Sequence, residues 1–156
     1  HASLDVALAL PRANTSLLDE IASTGRAPVL TALAPAPLPL LSDQSQQPVH
    51  TYFVGHSLLP ETEEQDQIPT VVSGVVLGGT GDGRAFARTF ASTDASQLKV
   101  LEMGMCGGPV LNTSGLCVGA VEGVVSSGPP VLQGSAVLIT ADHIKEFVEE
   151  TEPELF

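Results

Sequence analysis

Beyond residue 48, the sequence consists of short runs of β-branched and other apolar residues, separated by glycine, proline and polar turn residues. Runs of this length with turn signals between them are typical of strands in all-β domains. Strands at this spacing are expected to close into a small antiparallel barrel, which removes the exposed edges of an open sheet. The predicted strands are residues 49–54, 70–77, 85–91, 109–112, 116–121 and 135–139.

The last predicted element is a helix at residues 140–148. Its sequence places Ile144, Phe147 and Val148 on one face and polar side chains opposite, the pattern of a helix that packs on a core through one side. We therefore expect an antiparallel barrel with one C-terminal helix on its outside.

The region before the barrel has a different character. Residues 4–10 form a predicted buried strand that contains Asp5, and residues 16–21 a short capped helix. Residues 34–40 are proline-rich, which indicates an extended connection.

Composition excludes several classes of function. Apolar residues make up 43% of the 156-residue chain, enough for a core, and the net charge of −12 with six basic residues argues against nucleic-acid binding. The most apolar window, residues 28–41, is interrupted by prolines and is too short to span a bilayer, so no membrane partner is expected. The two cysteines are expected to be free thiols, which favours a reducing, intracellular compartment but leaves the localisation open.

The chemistry of the chain is concentrated at residues 104–109, Gly-Met-Cys-Gly-Gly-Pro, with Gly119 on the next apolar run. A glycine two positions before a reactive side chain lets the backbone turn so that two N–H groups point at one spot. This motif and its spacing resemble the nucleophile region of chymotrypsin-like peptidases, especially the HtrA/Deg branch, with cysteine where most members carry serine.

Other segments resemble the same family in the same chain order. They are residues 4–8, 38–40, 52–56, 71–76, 92–95 and 135–139 with the closing helix. The resemblance implies a chymotrypsin-like fold: residues 1–41 would be a remnant of the N-terminal barrel and the inter-barrel connection, and residues 42–156 the C-terminal barrel with its helix. The N-terminal barrel would be incomplete.

The resemblance also implies catalytic roles. Cys106 would be the nucleophile, the N–H groups of Gly104 and Cys106 would form the oxyanion hole, and Asp5 would orient the catalytic histidine. In the family that histidine precedes the aspartate by several strands, so it would come from an upstream segment or chain. The alternatives are a packing or inactivated cysteine at position 106 and a capping or turn role for Asp5, while Cys117 is expected to be a small buried hydrophobe.

The histidines do not supply an obvious substitute. His56 lies in a predicted turn, His50 on a strand face, and His143 on an expected exposed face of the helix. Their spacing relative to the cysteines matches no zinc pattern, so no metal is assigned, and no cofactor is expected.

Substrate contacts are implied on two segments. Val100 and Leu101 would line an apolar specificity pocket, with Val121, Glu122 and Gly123 opposite, and a peptide substrate would add as a strand along residues 122–124. The leading hypothesis is an endopeptidase portion that forms an acyl-enzyme on Cys106 and, lacking its histidine, is inactive in isolation. The alternatives are a non-catalytic trypsin-fold module that binds peptides or protein partners, and a plain β-barrel adaptor.

Overall fold

The computed structural model describes residues 48–58, 67–91 and 94–151, and more than half of them lie in β-strands. The predicted strand at 4–10, with Asp5, and the predicted helix at 16–21 lie outside the described residues, as does the connection at 34–40. The elements in chain order are β1 (Val49–Leu58), β2 (Gln67–Gly79), β3 (Arg84–Ala91), β4 (Asp94–Leu98), β5 (Pro109–Asn112), β6 (Cys117–Val124), β7 (Ala136–Thr140) and α1 (Ala141–Thr151).

Six of these strands form a closed antiparallel barrel. Neighbours around the ring are β2, β1, β5, β6, β7 and β3, and β3 pairs with β2 to complete it. The first three strands are joined in sequence, whereas β5 returns to lie beside β1, which is a Greek-key arrangement. The prediction of an all-β barrel with a C-terminal helix is therefore confirmed.

The barrel interior is filled by alternate residues of each strand. Phe53, Val110 and Leu138 are completely buried, and Ala85 and Ala87 of β3 supply small side chains opposite them. Because side chains alternate between the two faces of a strand, the same alternation that predicts the strands also determines which residues form the core.

Four strands are longer than predicted, β1 and β2 by the most, β6 and β3 by less, and one strand was missed. The β1–β2 ladder runs from the Val49–Val76 pair to the Leu58–Gln67 pair, since backbone hydrogen bonds continue past the apolar stretch into polar residues. The missed strand, β4, has a polar sequence and pairs with β3 outside the ring.

Helix α1 packs on the outside of the barrel against β6 and β7. Ala141 and Val148 are buried, and Ile144 and Phe147 are half-buried, as an inward apolar face requires. No helix in the described residues is long and apolar enough to cross a membrane.

Candidate functional site

Residues 104–108, which we call the cysteine turn, follow β4 and lead into β5. Gly104 has a φ of 97°, a conformation that residues with a Cβ rarely adopt. A Cβ at this position would also collide with the backbone carbonyl oxygen of His56 on β1. Glycine is required here because the turn crosses the end of β1 at close range.

The turn places its cysteine on the surface. Cys106 is an exposed free thiol, whereas the preceding Met105 is buried in the core. The structure thus presents the sulfur atom to solvent on a short, closely held segment.

Backbone hydrogen bonds attach the cysteine turn to β6. The N–H of Gly107 donates to the carbonyl of Val121 at 2.8 Å, and the N–H of Val121 donates to the carbonyl of Gly108 at 2.9 Å. These two bonds fix the turn at the point where β6 loses β5 as a neighbour, since the last β5–β6 pair along β6 is Pro109 with Ala120.

The N–H groups of Gly104 and Cys106 were predicted to form an oxyanion hole. Within residues 48–58, 67–91 and 94–151, neither N–H donates to another residue.

Beyond Val121, the edge of β6 on the side of the cysteine turn is unpaired among the residues that the structure describes. Among the residues that the structure describes, Gly123 and Val124 pair only with β7, on the side away from the cysteine turn. An extended peptide can add to an unpaired strand edge through main-chain hydrogen bonds. The predicted peptide-binding segment, residues 122–124, therefore has the required edge and lies beside the turn that carries Cys106.

The side chain of Glu122 has a role that was not foreseen. Its carboxylate forms a bidentate ion pair with the guanidinium of Arg84, with Nε–Oε2 and Nη2–Oε1 distances of 2.7 Å. The hydrogen bond to Glu122 raises the pKa of Arg84 above its ordinary value. The backbone of Glu122 borders this edge of β6, while its side chain is occupied by this pair.

Arg84 belongs to a second glycine-rich connection, residues 79–84, which we call the arginine corner and which joins β2 to β3. Asp82 accepts hydrogen bonds from the hydroxyl of Thr80 and from the N–H of Arg84, the latter at 3.3 Å. The Thr80 hydrogen bond is the main cause that lowers the pKa of Asp82. Arg84 and Glu122 are 38 residues apart, so no local sequence pattern signals their pairing.

The two residues predicted to wall the specificity pocket separate in the structure. Leu101 is buried in the core cluster with Met105 and Val121. Val100 is half exposed and lines a cavity of about 190 Å³ together with Leu98 and Val131. Cys106 is not among the residues that line this cavity.

The acidic residue ahead of the turn has its own partners. Glu102 forms an ion pair with Lys99 at 2.9 Å, and this contact, followed by a hydrogen bond with Ser57, lowers the pKa of Glu102. Its carboxylate is thereby directed toward Lys99 and β1.

None of the histidines in the described ranges is hydrogen-bonded to Cys106. His50 and His56 are exposed, and His143 is half-buried rather than exposed, with Nδ1 3.1 Å from the hydroxyl of Thr140. Asp5 lies outside the described residues, so its predicted role stays a prediction. In the described part of the chain, no group of three or more His, Cys, Asp or Glu residues is arranged to hold a metal ion.

No protein-family model and no curated protein matches this chain. The chemistry available at the site must therefore be judged from its own geometry. The site consists of an exposed thiol on a turn that is hydrogen-bonded to β6 and, beyond Val121, an edge of β6 that is unpaired among the described residues.

Proposed function

We propose that the barrel is the C-terminal barrel of a chymotrypsin-like endopeptidase and that Cys106 is its nucleophile. One observation carries the proposal. The exposed thiol of Cys106 lies on a turn that is hydrogen-bonded to Val121 of β6, and the unpaired edge of β6 begins at the residue after Val121. The Greek-key strand order and the outer helix support the same assignment.

In the proposed reaction, the Cys106 thiolate attacks the carbonyl carbon of the scissile peptide bond. The carbon–sulfur bond forms as the carbonyl electron pair moves onto oxygen, and the resulting oxyanion accepts hydrogen bonds from the N–H groups of Gly104 and Cys106. The carbon–nitrogen bond then breaks, and the departing amine takes the proton that the catalytic base removed from the thiol. Water hydrolyses the thioester that remains.

The base in this proposal is a histidine carried by a segment outside the described residues and oriented by Asp5. A neighbouring imidazole is needed because a cysteine thiol has a reference pKa of about 8.5 and is mostly neutral at pH 7. No histidine within residues 48–58, 67–91 and 94–151 is hydrogen-bonded to Cys106, so these residues alone are expected to show little or no peptide hydrolysis.

The substrate is an extended peptide or protein segment that pairs with residues 122–124. Main-chain pairing with a strand edge supplies affinity without fixing the side-chain sequence. Leu101 and Val121 belong to the same buried apolar cluster as Met105, the residue next to Cys106.

Two alkylating reagents test the proposal. One is iodoacetamide, and the other is an apolar tetrapeptide that ends in a chloromethyl ketone. The control for the second reagent is a chloromethyl ketone attached to a simple amide instead of the peptide. Cys106 should react with iodoacetamide faster than Cys117, whose half-buried Sγ donates to the carbonyl of Gly119. The peptide should accelerate modification of Cys106 by about tenfold or more over its control, and leave Cys117 unaffected, because binding along the edge positions the warhead.

Faster labelling of Cys117, or no advantage from the peptide, would contradict the proposal. Peptide hydrolysis that disappears in Cys106→Ala would confirm the nucleophile and show that the chain carries its own base. A peptide advantage without hydrolysis, even when a histidine-bearing N-terminal segment is supplied, would instead assign the barrel to the alternative, a non-catalytic peptide-binding module.

A further inference from the structure

Met105 connects the cysteine turn to the barrel core. Its side chain is 1% exposed and lies in the same buried cluster as Leu101 and Val121. On its other side it lies against Gly55 of β1, where any added Cβ would be 3.0 Å from the Met105 sulfur. The Met105 side chain therefore packs in the core against β1 and shares its buried cluster with Val121 of β6.

The backbone of Met105 closes the turn. Its N–H donates to the carbonyl of Glu102 at 3.4 Å, and its own carbonyl accepts from the N–H of Gly108 at 3.1 Å. Met105 also stands between the two residues whose N–H groups would face the oxyanion, Gly104 and Cys106. Any displacement of Met105 must move both donors, since they are its immediate neighbours in the chain.

We propose that Met105 is a positioning residue: burial of its side chain holds the N–H groups of Gly104 and Cys106 at the place where the oxyanion forms. This inference rests on the proposed function. Core side chains are packed as densely as in crystals, so a filled site under the turn restricts its backbone. Such restriction affects catalysis because hydrogen-bond donors stabilise an oxyanion only when they are already directed at it.

The residue that precedes Cys106 is apolar and buried. A polar side chain holds a turn through directed hydrogen bonds or an ion pair, whereas Met105 holds it through shape and burial. The glycine at position 55 is the matching feature on β1, because it leaves room for the sulfur atom.

The test uses three variants and two readouts. Met105→Ala removes the buried side chain, and Met105→Leu keeps its volume. Val76→Ala is the control, since Val76 is 3% exposed in the same core cluster but lies on β2, on the far side of β1 from the cysteine turn. The readouts are amide hydrogen exchange and the affinity for an apolar tetrapeptide aldehyde, which forms a hemithioacetal on Cys106 and directs its oxygen at the two N–H groups.

Met105→Ala should raise the exchange rates of the Gly107 and Gly108 amides selectively over those of the barrel strands. It should weaken aldehyde binding by at least about tenfold, less than the roughly 10²–10³-fold effect of losing an oxyanion donor, because the donors are displaced rather than removed. Met105→Leu should restore both properties to near their original values. Val76→Ala should lower the thermal stability while leaving turn exchange and aldehyde affinity nearly unchanged.

Equal effects of Met105→Ala and Val76→Ala on both readouts would overturn the inference, because Met105 would then act only through global stability. Failure of the unmodified protein to bind the aldehyde would contradict the proposed function instead. In that case hydrogen exchange still decides whether Met105 holds the turn: selective loss of Gly107 and Gly108 protection supports it, and unchanged protection excludes it. If Met105→Ala does not fold, Met105→Val replaces it as a smaller truncation with the same expected direction.

Discussion

The cysteine turn and the arginine corner are both glycine-rich connections, but different forces hold them. The cysteine turn is held by a buried apolar side chain, Met105, and by backbone hydrogen bonds to β6. The arginine corner is held by charged and polar side chains, above all the pair of Arg84 with Glu122. Apolar burial and backbone bonds respond weakly to salt, whereas a part-buried ion pair such as Arg84–Glu122 is still partly screened by it. The comparison therefore predicts that salt concentration has little effect on the stability of the cysteine turn and a measurable effect on the stability of the arginine corner.

The largest expected effect concerns the close approach of the cysteine turn to β1. Gly104→Ala and Gly107→Ala both place a Cβ at positive φ, 97° and 80°. That strain costs about 1–2 kcal/mol of unfolding free energy in each. At Gly104 the Cβ also meets the carbonyl oxygen of His56, whereas at Gly107 it meets no atom within 4 Å.

Urea unfolding should therefore show a clearly larger loss for Gly104→Ala, roughly 2–4 kcal/mol, than for Gly107→Ala. Gly107→Ala serves as the matched control because it carries the strain without the collision. Equal losses of unfolding free energy in the two variants would contradict the close contact between Gly104 and the His56 carbonyl oxygen on β1.

The ion pair of the arginine corner should give a smaller, salt-dependent effect. Glu122→Gln keeps the shape of the side chain but removes its charge, so the bidentate contact with Arg84 is weakened. Both side chains are largely buried, with 29% and 19% exposed, and the expected loss is about 1 kcal/mol at low salt. The loss should shrink in 1 M NaCl, where the Debye length is about 3 Å.

Glu149→Gln is the control for that change. Its partner, Lys145, lies 3.5 Å away on the exposed side of α1, and such a pair contributes only about 0.3–0.5 kcal/mol. Amide exchange at Gly107 should not change in either variant. A loss of Gly107 protection in Glu122→Gln would show that the corner and the cysteine turn are coupled through β6.

Sequence patterns could predict the barrel but only part of the site. Alternation of apolar residues predicts the ring strands because each has one face in the core, whereas β4 (Asp94–Leu98) is polar and forms only through pairing with β3. The glycine spacing predicts the cysteine turn and the exposure of Cys106. It does not predict that the Met105 side chain is buried in the core, because the alternation of buried and exposed residues applies to strands and not to turns. It also does not predict the pairing of Arg84 with Glu122 across β7, because the two residues are 38 positions apart in the sequence.

The smallest expected effect is a loss of unfolding free energy at acid pH. One carboxylate near each of the two connections contributes to it. Asp82 in the arginine corner and Glu102 ahead of the cysteine turn both have a pKa below the ordinary value, chiefly through Thr80 and Lys99 respectively. A lowered pKa in the folded state means that the unfolded chain binds more protons at acid pH. The stabilisation is therefore complete above the ordinary carboxyl range and is lost as the pH falls through the folded-state pKa values.

The unfolding free energy, measured from about pH 6 down to about pH 3, should decline less steeply in Asp82→Asn and in Glu102→Gln than in the unmodified protein. Each difference should stay below about 1 kcal/mol, because the side chains are 61% and 46% exposed and solvent screens their partners. The two effects should add in the double variant, since Asp82 and Glu102 share no partner. Alkylation of Cys106 should be the same in Glu102→Gln as in the unmodified protein, because the Glu102 carboxylate contacts Lys99 and Ser57 rather than the cysteine turn. A changed alkylation rate would mean that a titrating group, and not Met105 alone, determines the geometry of the candidate site.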